Sequence, residues 1–130
     1  MKKGQETPEF IIILGLLMFI LLIVVVMYGD LSMSSEIAKG QMIATRTNHA
    51  LAYAINAVAE GGDGSSYVLY VMGDDTANMT ISGRVLYLNY SGGMVSAPLT
   101  TNRTSAPAII PVNSYINVSN SNGLVTVTPM

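Results

Sequence analysis

Residues 10–29 read FIIILGLLMFILLIVVVMYG, 20 consecutive positions without a charge. At ~1.5 Å per residue such a run makes a helix roughly 30 Å long, the thickness of a bilayer's hydrocarbon core. It is also longer than the about 7–15 apolar residues of a cleaved secretory signal, so it reads as a segment that stays in the mature chain. Lys2 and Lys3 precede it and Asp30 is the first charge after it. The positive-inside bias then predicts a cytoplasmic N-terminus and an outward-facing remainder. Phe10, Phe19 and Tyr28 recur at nine-residue steps within or at the end of this run. Rings spaced that way alternate around a helix, which ordinary packing and an interfacial tyrosine explain.

Around this run the rest of the chain is short and weakly charged. Of the whole chain's 130 residues 50% are apolar and 11% charged, and 6 basic against 8 acidic side chains leave a formal charge of −2. One domain plus a tail is the most such a length holds. Six scattered basic residues offer no phosphate-binding surface, so no nucleic-acid partner is expected. With no cysteine and one histidine, thiolate metal sites, disulfides and cysteine nucleophiles are excluded. Asp63, Asp74 and Asp75 lack the oxygen-ligand spacing of a calcium loop, and residues 61–66 lack the lysine of a phosphate loop. His49 has no second histidine near it in sequence, and no nucleophile–base pair suggests itself. We therefore expect neither an enzyme nor a bound cofactor.

The helix is expected to outrun the membrane. Thr7-Pro8-Glu9 offers an N-cap hydroxyl, a proline where no amide donor is needed and an acid in the first turn. No proline follows until Pro98, and Gly61-Gly62-Asp63-Gly64 supplies left-handed residues to end it. In the second half Met33, Ile37, Ala44, Leu51, Ile55 and Val58 fall on one stripe, so this part is amphipathic, able to pack under a following domain, against other helices, or both. Gly29, beside Asp30, is where a bend is expected.

From residue 65 the composition turns to Val, Tyr, Thr, Ser and Asn with a period near two, the pattern of strands. Strands are expected over 67–72, 79–82, 84–90, 94–98, 115–119 and 124–128, and Asn122-Gly123 predicts a tight hairpin between the last two. Residues 100–111 read as an irregular loop. The fold class is α+β: a leader at 1–4, a helix over 5–60 with a membrane or filament-core part at 10–29 and an amphipathic part at 30–60, and a small antiparallel β domain over 61–130. Such a domain has little apolar surface of its own and needs a partner surface. Four Asn-x-Ser/Thr acceptor sites, at Asn78, Asn89, Asn102 and Asn117, all fall on the side expected to face outward, where N-linked glycans are added.

What precedes the apolar run is unusual for a plain anchor, because Glu6 and Glu9 abut the membrane segment on its cytoplasmic side. With Lys2, Lys3, Gly4, Gln5, Thr7, Glu9 and Phe10 in that order, the N-terminus resembles the archaeal type IV pilin-like proteins, which carry a short basic leader ending in Gly and then Gln-x-Ser-x-Glu-Phe. Thr7 stands where that family prefers Ser and Ile13 where Leu is usual; the resemblance covers roughly the first 30 residues. It implies cleavage between Gly4 and Gln5 by a membrane-embedded prepilin peptidase, which makes Glu9 the fifth residue. A carboxylate at the edge of an apolar helix is costly to desolvate unless a cation meets it, and the α-amino group freed by cleavage is such a cation. The resemblance thus gives Glu9, with Phe10 beside it, an assembly role. The plainer reading is that Glu6 and Glu9 only complement the positive end of the helix dipole.

The function expected on this basis is that of a structural subunit. It enters the cytoplasmic membrane as a precursor, is trimmed, and is polymerised by the pilus assembly machinery into an extracellular helical homopolymer used in surface adhesion. The alternative is a monomeric single-pass membrane protein, or a minor pilin, whose outer β domain binds a ligand or partner.

Overall fold

The computed structural model describes residues 6–130, and for residues 6 and 7 the backbone alone. Its elements are one helix and seven strands: α1 (Glu6–Gly61), β1 (Ser66–Val71), β2 (Asn78–Ser82), β3 (Val85–Tyr90), β4 (Gly93–Pro98), β5 (Thr104–Ser105), β6 (Ser114–Ser121) and β7 (Leu124–Pro129). The chain is α+β, and it divides into two compact units, one ending at Ile37 and one spanning Ala38–Met130.

The helix is 56 residues long. Its first turn begins at Glu6, so Thr7 lies inside the helix and not at its cap. Pro8 is accommodated because the first four amides of a helix have no carbonyl to reach. Helical structure continues unbroken through Gly15, Gly29 and Gly40. The stop falls where glycine permits it: Gly62 takes φ +78° and Gly64 φ +84°, angles that side chains with a Cβ resist. The Ser65 hydroxyl then donates to the Val58 carbonyl at 2.7 Å, so one of the last carbonyls of the helix is met by a side chain.

In the unit ending at Ile37, every side chain from residue 8 onward is exposed. One helix in the described residues is long and apolar enough to cross a membrane, and it is this one.

In the unit spanning Ala38–Met130 the same helix changes character. Ala44, Leu51, Ile55 and Val58 of the expected stripe are buried, joined by Ala52 and Ala54. They form one apolar cluster with Val71, Met79, Leu86, Leu88, Ile110, Ile116, Val118, Val125 and Val127 from the β structure. Met33 and Ile37, on the same stripe, are exposed, so the stripe is core only from Ala44 onward.

The β residues form two sheets. β2-β3-β4 is an antiparallel meander, and β1-β6-β7-β5 is mixed. Alternation decides the faces: in β6, Ile116 and Val118 are fully buried while Tyr115 is exposed, and Val125 and Val127 do the same for β7. Asn122 (φ 54°) and Gly123 (φ 75°) form the two-residue hairpin loop in which both central residues take positive φ.

The expectation of an irregular loop over 100–111 is corrected. Thr104–Ser105 pairs in parallel with β7, and Ile110 bridges Met79 and is fully buried. A two-residue strand and the short Ala108-Ile109-Ile110 run between two prolines carry no period, so pattern reading passes over them.

Candidate functional site

Glu9 and Phe10 lie in the first turns of α1, and both are exposed, as are all the residues that follow them to Ile37. An acid there sits at the positive end of the helix dipole. Gly4 and Gln5, the expected cleavage pair, lie outside the described residues. The apolar run therefore presents its whole circumference, with no side of it covered within its own unit: Leu17 is 58% exposed and Phe19 63%.

In the unit spanning Ala38–Met130, polar residues of the helix hold the strands. Thr47 donates its hydroxyl to the Met72 carbonyl at 2.7 Å, and the fully buried Asn48 donates Nδ2 to the Leu86 carbonyl at 3.3 Å. Asn56 works in both directions. Its Nδ2 donates to the Pro98 carbonyl, and its Oδ1 accepts from the Thr100 amide at 2.8 Å and from the Thr100 hydroxyl at 3.2 Å. Asn120, on β6, donates Nδ2 to the Val58 carbonyl at 3.1 Å. Sequence reading gave none of these residues a role, because a lone Asn on a helix looks the same whether it faces water or a strand end.

The four acceptor asparagines separate clearly. Asn78 and Asn89 are exposed and stand directly opposite one another on β2 and β3. Asn117 is half-buried on β6, a strand paired on both sides. Asn102 is exposed in the segment between β4 and β5.

Two cavities of opposite chemistry open on this unit. One, of about 220 Å³, is walled by Ile43 and Ala44 of the helix and by Met72, Leu88 and Tyr90, with Asp74 beside them. The Asp74 carboxylate is held below its usual pKa by the Thr76 hydroxyl, which donates to it at 3.1 Å, and then by Ser91. The other, of about 350 Å³, lies at the end of the helix and is lined by Glu60, Arg84, Thr100, Thr101, Asn102 and Asn120. Among the described residues no group of three or more acids or histidines gathers to hold a metal. His49 is exposed on the helix. Asp63, exposed in the turn after the helix, accepts the Asn122 amide at 2.8 Å and so ties the end of the helix to the β6–β7 hairpin.

The described chain is thus one long apolar N-terminal helix followed by a small β domain, an architecture compatible with a pilin. Comparison with protein-family models, with curated proteins and with solved structures finds no match.

Proposed function

We propose that this chain is the structural subunit of an extracellular filament of the type IV pilus kind, polymerised through its N-terminal helix and used in surface attachment. One observation supports the reading above others: every described side chain from residue 8 to Ile37 is exposed, while residues from Ala44 onward build a closed core of their own. An apolar surface of that size has to be covered by lipid or by other helices. A membrane-bound precursor uses the first cover and a filament the second, with helix packing replacing lipid contact. Head-to-tail contacts between identical subunits leave growth open-ended.

On this reading a prepilin peptidase cuts between Gly4 and Gln5, and the new α-amino group meets Glu9 as a subunit joins. The β domain forms the outer wall and carries N-linked glycans. The chain has no catalytic task and no cofactor.

The test is intact mass and N-terminal sequence of material sheared from the surface of expressing cells. A chain beginning at Gln5 in the sheared fraction is the expected result. A chain found only in membranes and beginning at Met1 would establish the single-pass protein instead. Glu9→Ala is expected to abolish sheared filaments while leaving membrane insertion intact, because the carboxylate lies outside the 20-residue apolar run. Normal filaments from that variant would remove Glu9 from assembly.

A further inference from the structure

The groove at the end of the helix differs in kind from the rest of the unit spanning Ala38–Met130. Residues from the helix, the β2–β3 turn, the segment after β4 and the β6–β7 hairpin converge on it, and Ala59 is its only apolar side chain. A carboxylate (Glu60), a guanidinium (Arg84) and two hydroxyls (Thr100, Thr101) supply acceptors and donors together. That combination suits a ligand whose own groups both donate and accept, which is the chemistry of a saccharide's hydroxyls. An anion would leave Glu60 opposed, and an apolar ligand would leave the Glu60 carboxylate and the Arg84 guanidinium unmatched.

The walls are fixed from below. Thr100 is held through its amide and hydroxyl by Asn56, and Asn120 by the Val58 carbonyl, so both walls rest on the helix. Asn120 is 5% exposed, and its Oδ1 has no hydrogen-bond partner, an acceptor left over just behind the groove surface.

Asn102, in the acceptor triplet Asn102-Arg103-Thr104, lines this groove; Asn78, Asn89 and Asn117 do not. We propose that the groove seats the first saccharide of an N-linked glycan carried on Asn102, an inference that rests on the outward placement of the β domain. A sugar attached there begins at the groove wall. Tethering makes its binding intramolecular, so a few hydrogen bonds suffice where a free sugar would dissociate. In the attachment step the Asn102 Nδ2 bonds to the anomeric carbon of a lipid-linked glycosyl phosphate. The bond from that carbon to the phosphate oxygen breaks, the lipid phosphate leaves with the electron pair, and Nδ2 gives up one proton. The seated sugar then covers the end of the helix and the β6–β7 turn.

The experiment uses the full-length chain purified from the cells that make it. Native and denatured samples are treated with a peptide N-glycanase, and the Asn102 peptide is followed by mass. Release from the native protein is expected to be at least about tenfold slower for the wild type than for Arg84→Ala or Glu60→Gln, the effect of losing one charge-assisted hydrogen bond. All three are expected to release equally once denatured. An unmodified Asn102 overturns the inference, as does equal release from native wild type and native Arg84→Ala. Shearing the same cells reads the filament separately. Sheared chain with a bare Asn102 overturns the groove's role alone, and a membrane-bound chain with a slowly released Asn102 glycan overturns the filament alone.

Discussion

The two halves of α1 are one continuous helix by hydrogen bonding and two different objects by side chain. Residues 10–29 are apolar all round and wholly exposed, whereas residues from Ala44 to Val58 are apolar on one stripe and that stripe is buried. The half with more apolar side chains is the half without a core. A helix can hide only one side beneath a sheet, so a domain of this size covers a stripe and leaves a uniformly apolar cylinder for lipid or for other helices. The polar residues of the second half are what make it a domain helix. Thr47, Asn48 and Asn56 donate their hydrogen bonds to the carbonyls of Met72, Leu86 and Pro98 and so tie the helix to the β structure.

Truncation breaks the comparison most severely. A chain starting at Ala38 is expected to fold and melt cooperatively, because it retains the helix residues of the core. A chain starting at Gly62 is expected to show no cooperative transition in circular dichroism, since it loses Leu51, Ile55 and Val58 and faces the β residues to water. If the shorter chain folded, the helix would be an attachment to the domain and not its spine.

A pair of matched substitutions sharpens it. Leu51→Ala empties a fully buried position and is expected to destabilise the unit spanning Ala38–Met130 by about 2–5 kcal/mol in chemical denaturation. Leu17→Ala, the same chemistry at a 58% exposed position, is expected to leave that transition unchanged within about 0.5 kcal/mol.

The smallest effect concerns Asp74. Its pKa is depressed in the folded chain by the Thr76 and Ser91 hydroxyls, so its contribution is present above the carboxylate's ordinary pKa and is lost as the pH falls through the folded value. Thr76→Ala should raise the Asp74 pKa toward the ordinary range, read by NMR titration of its carboxyl. An unmoved titration would assign the depression to Ser91. Asp74 is fully solvated, so no change in global stability at neutral pH is expected.

Much of the fold was open to reading in the chain. The 20-residue apolar run, the glycines that end the helix, and the Asn122-Gly123 hairpin each depend on one residue and its near neighbours. The inward faces of β6 and β7 follow from alternation alone. The stripe on the second half of the helix was also legible, though not where it stops being core, because Met33 and Ile37 match Ala44 in phase and are nonetheless exposed. The acceptor triplets were visible as a set, but which of them shares a groove with Glu60 and Arg84 was not, since those residues meet only when four distant segments are brought together.

By itself, then, the sequence determined the local states: a charge-free helix long enough to span a bilayer, an amphipathic continuation, short alternating strands and a tight turn. The tertiary structure alone decided that the strands split into two sheets around one helix, that Ile110 and the pair Thr104–Ser105 belong to that structure, that Asn48 and Asn120 are buried in it, and that Asn56 ties the helix to Pro98 and Thr100. Local states follow from torsional preference and from the period of apolar side chains, both written along the chain. Sheet order and the partner of a buried amide depend on which distant segments come to lie together, and no short window of sequence records that.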